Sequence, residues 1–156
     1  QYPEKMIPLF TTNALENQPL PVYGNGRNSR DWIHVADHCR ALEMLLAADS
    51  AAVDGEIFNI AGGNERNILE IADVILGTLD RPNSLIQYVT DRPGHDRRYD
   101  INIAKIKREL GWQPRQSLTT GLLKTVEWYL NHPEWIEAVH KQQDYQSWLT
   151  KNYTQR

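Results

Sequence analysis

Apolar residues recur at helical spacing in several stretches of the chain, and short extended runs lie between those stretches. The spacing predicts helices over residues 4–16, 37–48, 68–79, 102–110, 119–130 and 134–150. Runs rich in β-branched and aromatic residues predict strands at 31–35, 56–61 and 85–89, and residues 22–23 are expected to form a short extended piece. Strands that alternate with helices indicate an α/β fold, and strands this few and short indicate a small α/β lobe.

Two of the predicted helices carry a clear apolar stripe that we expect to face a core. In the helix over residues 37–48, Asp37 is the expected N-cap, and the expected inward residues are Cys39, Leu42, Leu45 and Leu46. In the helix after Asn67, the expected buried residues are Ile68, Ile71, Ala72, Ile75 and Leu79. Asn102 and Gly111 are expected to begin and end the helix between them.

Composition places the chain among ordinary globular proteins. Its 156 residues are 40% hydrophobic and 24% charged, and the formal net charge is -3. The acidic balance argues against a nucleic-acid binder, which carries a basic excess. No run is long and apolar enough for a membrane span, and no signal peptide is evident. Because Cys39 is the only cysteine, we expect no internal disulfide, and the composition is compatible with a reducing compartment. We expect a cytoplasmic location.

The residues that would carry catalysis in a dinucleotide-dependent enzyme are missing. Gly24-Asn25-Gly26 lacks the third glycine of a dinucleotide fingerprint and precedes a predicted strand, so it indicates a turn. No lysine follows a tyrosine at the Tyr-x-x-x-Lys spacing. His34 and His38 straddle the end of a predicted strand, which disfavours a metal site. We therefore expect no catalytic residue and no metal in this chain.

Three polar clusters are candidates for binding an anion. Arg30 with Asp31 forms either a surface ion pair or a phosphate contact. The segment from Asp91 to Arg98 holds three arginines and a histidine around a Pro-Gly turn, so it is either a solvated loop or a pyrophosphate-binding loop. Asn67 needs no role beyond capping a helix.

Four motifs give the chain a resemblance to a known family. They are Arg30-Asp31-Trp32-Ile33-His34-Val35, Phe58-Asn59-Ile60-Ala61-Gly62-Gly63, Arg92-Pro93-Gly94-His95-Asp96-Arg97-Arg98-Tyr99 and Glu109-Leu110-Gly111-Trp112. Together they resemble the extended short-chain dehydrogenases that act on nucleotide sugars, and within these the dTDP-glucose 4,6-dehydratase family. The third motif is the most specific of the four.

The resemblance implies that residues 1–156 are the C-terminal, substrate-binding half of such an enzyme, lacking the Rossmann core. The absence of an initial Met agrees with an excised piece. The N-terminal half would then carry NAD and the catalytic groups that dehydrate dTDP-glucose to the 4-keto-6-deoxy sugar. This chain would bind dTDP-glucose or dTDP, and would be inactive alone.

The substrate contacts that the resemblance implies fall into three groups. Lys5 and Met6 would lie along the diphosphate, and Pro21 and Tyr23 would line the thymidine pocket. The remaining contacts would be Arg30 with the diphosphate, Asn67 with the nucleoside, and Arg92 and His95 with the phosphates.

Two alternatives remain open at this point. One is the same half of a sibling nucleotide-sugar epimerase or decarboxylase, and the other is a non-catalytic interaction module that has kept the fold. The family also implies a homodimer of the complete enzyme. If half of the enzyme is absent, we expect an exposed apolar patch that makes the chain associate.

Overall fold

The computed structural model describes residues 5–141 together with Ser147 and Thr150. Within these residues the strands are β1 (Leu20–Tyr23), β2 (Ser29–Asp31), β3 (Glu65–Asn67) and β4 (Ile86–Val89). The helices are α1 (Met6–Leu15), α2 (Val35–Ala47), α3 (Ser50–Val53), α4 (Ile68–Thr78), α5 (Ala104–Leu110), α6 (Leu118–Leu130) and α7 (Pro133–His140). The mixture of short strands and helices confirms the predicted α/β class.

The chain divides into two compact units. Unit 1 comprises Gln1–Arg27, Ile68–His95 and Leu122–Arg156, and unit 2 comprises Asn28–Asn67 and Asp96–Gly121. None of the helices formed by the described residues has the length and apolar character that crossing a bilayer requires.

Unit 1 is built on a parallel pair of strands covered by two helices. β1 and β4 run in register from Leu20 opposite Ile86 to Tyr23 opposite Val89. Along β1, Leu20 and Val22 are fully buried while the alternate residues are half-buried, as the period of a strand requires. α1 and α4 contact this strand and each other, so the apolar faces of both helices are covered within the unit.

The predicted stripe of α4 is confirmed. Ile71, Ala72 and Ile75 are fully buried, and Ile68 and Leu79 are half-buried. A helix of this length is marginally stable in isolation, so burial of these side chains is the main source of its stability.

Unit 2 contains a small antiparallel ribbon and an aromatic core. β2 pairs with β3 from Ser29 opposite Asn67 to Asp31 opposite Glu65. Its core joins Ala41 of α2, Ile106 of α5 and Trp112, all without exposed surface. Gly111 ends α5 in a left-handed conformation, as predicted, but the N-cap residue is Ile103 and not Asn102, whose Oδ1 accepts the backbone N–H of Ala104.

The predicted boundary between the second strand and its helix is wrong. β2 ends at Asp31 and α2 begins at Val35, where the Nδ1 atom of His34 accepts the backbone N–H of Ala36. Asp37 is therefore not the N-cap but lies in the first turn of α2. Its buried carboxylate instead accepts the backbone N–H groups of Arg115 and Gln116 at 2.8–3.0 Å.

The environment of Asp37 keeps it charged although it is buried. Burial alone would raise its pKa, but the backbone hydrogen bonds from Gln116 and Arg115, together with Arg40, outweigh burial and lower the pKa overall. The carboxylate thus joins the start of α2 to the segment that leads into α6.

Two further expectations about unit 2 are wrong. On α2, Leu42 is 44% exposed, Leu46 is 88% exposed and Cys39 is exposed, so only Leu45 of the predicted inward set is even partly covered. The strand predicted at 56–61 does not form, and Ile57 there is 82% exposed. A strand needs a hydrogen-bonding neighbour, and no strand among the described residues pairs with this segment.

The helix predicted over 134–150 is described only in its first part. α7 begins at Pro133 and ends at His140, and its Pro lies in the first turn, where a missing N–H costs nothing. Most of the predicted remainder, and Glu4 at the start of the predicted first helix, lie outside the described residues.

Candidate functional site

In unit 1 two of the predicted ligand residues, Tyr23 and His95, meet where two parallel strands end together. Tyr23 is paired with Val89, and the backbone N–H of Gly24 donates to Val89 O at 2.9 Å. The turn after β1 and the loop after β4 therefore leave the sheet side by side. This brings Tyr23 next to His95, with ring centroids 6.0 Å apart in an edge-to-face arrangement.

An aspartate holds the imidazole of His95. His95 Nδ1 lies 2.6 Å from Asp91 Oδ1, and only 10% of the His95 side chain is exposed. The hydrogen bond from His95 is the largest influence that lowers the pKa of Asp91, and the N–H and charge of Arg92 act in the same direction. With Nδ1 engaged by a carboxylate, Nε2 is the ring nitrogen that remains for a ligand.

Gly24 leaves the room that this arrangement needs. Its φ is +57°, a conformation that favours glycine, and a Cβ atom there would stand 2.9 Å from Asp91 Oδ2. A side chain at this position would press directly on the carboxylate that holds His95.

The other predicted residues of unit 1 lie on neighbouring elements. Pro21 is half-buried on β1, two residues before Tyr23, so both side chains lie on the same face of the strand. Arg92 is exposed in the loop after β4. Lys5 is the exposed N-cap residue of α1, and Met6 is the half-buried first residue of that helix.

In unit 2 the structure places Arg30 and Asn67 on the paired strands β2 and β3. Ser29 stands opposite Asn67 and Arg30 stands opposite Arg66, so the side chains of Arg30 and Asn67 lie on opposite faces of the ribbon. Arg30 Nη1 donates to Ser29 O at 2.7 Å, and its guanidinium lies over the ring of Tyr99 at 4.4 Å from the centroid. α4 begins directly after Asn67, as predicted.

The surface ion pair that was one interpretation of Arg30-Asp31 does not form. Asp31 Oδ1 instead accepts the backbone N–H of Asn64 at 3.0 Å. Within the described part of the chain, Arg30 has no carboxylate at ion-pair distance, so its positive charge is not compensated by a neighbour.

Arg98 differs from Arg30 in that it is paired with carboxylates. It donates to both carboxylate oxygens of Glu65 at 2.7 Å and to Asp100 at 2.6 Å. The bonds from Arg98, followed by that from Ser29, lower the pKa of Glu65 to about 2. In turn, the hydrogen bond to Glu65 and the charges of Asp100 and Glu65 raise the pKa of Arg98. Of the three arginines in the loop, Arg98 is thus the one shown paired with carboxylates of the described residues.

Three residues that contribute to these clusters were not singled out from the sequence: Asp91, Tyr99 and Glu65. The sequence did offer a signal for Asp91, which stands four residues before His95 across a Pro-Gly turn. Glu65 lies 33 residues from Arg98, and only the pairing of strands brings them together.

The described residues do not build a dinucleotide site. The turn at Gly24–Gly26 is followed by β2 and not by a helix, and a Cβ on Gly26 would stand 2.7 Å from the Leu69 side chain, so packing already fills the space beside it. Nor do the residues described here include three or more His, Cys, Asp or Glu side chains grouped to hold a metal ion.

Comparison with known proteins defines the class of this protein. The profile of the GDP-mannose 4,6 dehydratase family matches residues 1–125. The chain belongs to that family.

Individual relatives show which enzymes the chain resembles most specifically. The dTDP-glucose 4,6-dehydratase of Salmonella typhimurium is 48% identical over 99% of this chain, which spans 44% of that protein. The dTDP-glucose 4,6-dehydratase of Streptomyces venezuelae, solved with NAD and TYD bound, is 44% identical with a TM-score of 0.84, over 89% of this chain and 42% of its own. The chain thus spans less than half the length of the relatives it matches, and it matches their C-terminal part.

A sibling enzyme is more distant. The UDP-glucose 4-epimerase of Thermotoga maritima, solved with UDP-glucose, is 27% identical with a TM-score of 0.75 over 81% of this chain and 40% of its own. The comparisons therefore confirm the predicted resemblance to dTDP-glucose 4,6-dehydratases and favour it over the epimerase alternative.

Proposed function

We propose that this chain is the nucleotide-sugar-binding, C-terminal portion of a dTDP-glucose 4,6-dehydratase. The observation that carries the proposal is the contact between Tyr23 and His95 at the paired ends of β1 and β4. A residue assigned to the thymidine pocket is thereby adjacent to a residue assigned to the phosphates, which is the arrangement that a nucleoside diphosphate requires.

The basic residues supply affinity for the diphosphate. We assign Arg30, Arg92 and His95 to phosphate oxygens. Each charge-assisted hydrogen bond of this kind contributes roughly 1.5–3 kcal/mol, and the planar fork of arginine can donate two bonds to one phosphate. Lys5 and Met6 along the diphosphate, Pro21 beside the base and Asn67 beside the nucleoside complete the proposed contacts.

In this proposal the chain binds and orients the substrate, and the remainder of the polypeptide performs the reaction. Dehydration of dTDP-glucose to the 4-keto-6-deoxy sugar and the binding of NAD are assigned to that remainder, because the residues described here do not fit a dinucleotide. The nucleotide is remote from the reacting carbons, and its binding energy serves to position the sugar.

The surfaces of unit 2 that the described residues leave uncovered are proposed contacts with the rest of the polypeptide. We propose that the N-terminal portion covers the exposed side of α2 and supplies a strand neighbour for residues 56–61. A homodimer of the complete protein and a cytoplasmic location are further parts of the proposal, and they rest on the family resemblance alone.

The first test is the choice of nucleotide. Titration of dTDP and UDP into the full chain by calorimetry should show tighter binding of dTDP. Preference for UDP would favour the sibling epimerase or decarboxylase. Binding of neither nucleotide at millimolar levels by a folded chain would favour the interaction module.

The second test restores the missing portion. In a chimera, this chain replaces the corresponding C-terminal part of the Salmonella typhimurium dehydratase, and loss of water from dTDP-glucose is followed by mass spectrometry. Turnover by the chimera is the expected result. A folded chimera that holds NAD but leaves dTDP-glucose unchanged would contradict the proposal.

A further inference from the structure

Two arginines of unit 2 are held in place by different kinds of partner: Arg30 on β2 and Arg98 in the segment beside that strand. Arg98 is paired with two carboxylates, Glu65 and Asp100, which offset its charge. Arg30 is held by the face of an aromatic ring, Tyr99, and by one carbonyl oxygen. A ring orients a guanidinium without neutralising it and without occupying its N–H donors, which point outward in the plane of the group.

The segment that carries Tyr99 is fixed along β2. The backbone N–H of Ser29 donates to Arg97 O at 2.8 Å, and that of Tyr99 donates to Ser29 O at 3.1 Å, so the segment forms a parallel bridge beside the strand. Glu65 on β3 reinforces it by accepting from both Arg98 and Ser29 Oγ. The Tyr99 hydroxyl donates to the carboxylate of Asp96 in the same segment.

This geometry matters for an anion-binding arginine. A carboxylate beside Arg30 would compete with the diphosphate for the same donors, whereas the ring of Tyr99 leaves those donors to the ligand. A long, flexible side chain also loses rotamer freedom when it binds, and prior orientation reduces that loss.

We infer that Tyr99 is a positioning residue for diphosphate binding: its ring holds the Arg30 guanidinium in place, and the Arg98–Glu65 pair fixes the segment that presents the ring. The inference deepens the proposed function and rests on it, because Arg30 is taken to contact the diphosphate.

The test measures the dissociation constant for dTDP in the full chain. Tyr99→Leu should weaken binding roughly three- to fivefold, which is the loss expected from an exposed cation–π contact. Tyr99→Phe keeps the ring and loses only the hydroxyl, so it should bind within twofold of the unmodified chain. Tyr88→Leu is the matched control, because Tyr88 is an exposed tyrosine on β4 outside both clusters.

A double-mutant cycle separates positioning from a general structural effect. In the Arg30→Ala background, Tyr99→Leu should have no further effect on dTDP binding, because the residue it positions is gone. Circular dichroism melting of each variant establishes that it is folded.

The outcomes distinguish this inference from the proposed function. If the unmodified chain binds no dTDP, the proposed function fails. If it binds dTDP but Tyr99→Leu binds equally well, or if the losses from Tyr99→Leu and Arg30→Ala simply add, the inference fails and the proposed function stands.

Discussion

Helices α2 and α4 have apolar residues at the same spacing, yet only α4 buries its stripe. The stripe of α4 packs against β1 and α1. α2 is apolar on two sides: one side, with Ala41 and Met44, contacts the core around Trp112, and the other, with Leu42 and Leu46, is exposed. A second apolar stripe left exposed on a helix is typical of a surface that a partner covers. Periodicity thus identifies a face that will be covered but not what covers it.

Truncation of one apolar side chain on each helix should give the largest difference in stability between α4 and α2. Ile75→Ala on α4 should lower the free energy of unfolding by about 2–5 kcal/mol, because it opens a cavity in a filled core. Leu46→Ala on α2 should change it by less than about 0.5 kcal/mol, since that side chain is exposed. Urea unfolding of the two variants measures both values, and equal losses would contradict the description of α2.

Loss of the buried carboxylate of Asp37 on α2 should lower stability nearly as much. Asp37→Ala leaves the backbone N–H groups of Arg115 and Gln116 without their acceptor, which should cost roughly 1–3 kcal/mol for each unsatisfied group. Asp73→Ala on the exposed side of α4 is the control and should be nearly neutral. Hydrogen exchange of Arg115 and Gln116 reports the effect, and unchanged protection in Asp37→Ala would count against this role.

The exposed side of α2 should govern association of the chain. We expect the unmodified chain to self-associate through this apolar surface, and Leu42→Lys with Leu46→Lys to reduce that association without loss of stability. Sedimentation velocity measures the change. A chain that is monomeric at every concentration, with or without the substitutions, would refute the expectation.

The smallest effect concerns the ion pairs of the ribbon. The pKa of Glu65 falls from its ordinary 4.5 to about 2 in the folded chain, so its contribution to stability is present above pH 4.5 and is lost as pH falls toward 2. Glu65→Gln should remove that part of the acid dependence. Melting temperatures between these pH values test the shift, and identical profiles for both proteins would show that Glu65 has no such role.

What the sequence could predict follows from the range of the interactions involved. The α4 stripe, the end of α5 at Gly111 and the turn at Gly24 depend on residues close in the chain, and all three predictions are confirmed. The strand at 56–61 depends on a neighbour that the described residues do not include. His34 took the capping role expected of Asp37 because Arg115 and Gln116, far along the chain, hold the aspartate.

Contacts between residues far apart in the sequence also limited the prediction of the candidate site. Sequence motifs named Tyr23 and His95, and the pairing of β1 with β4 brings them together. The charge pattern of the loop did not separate Arg98 from Arg92, because the carboxylate that pairs with Arg98 lies on β3. Density of charge in a sequence therefore does not show which arginines of a loop are paired with carboxylates in the fold.

Hydrogen exchange of the full chain with and without dTDP is the decisive test of nucleotide binding by these residues. We expect dTDP to slow exchange in the loop at Asp91–His95 and in the strand that carries Arg30, and UDP to slow it less. Unchanged exchange in both segments, at a dTDP concentration that saturates binding, would refute the proposed site.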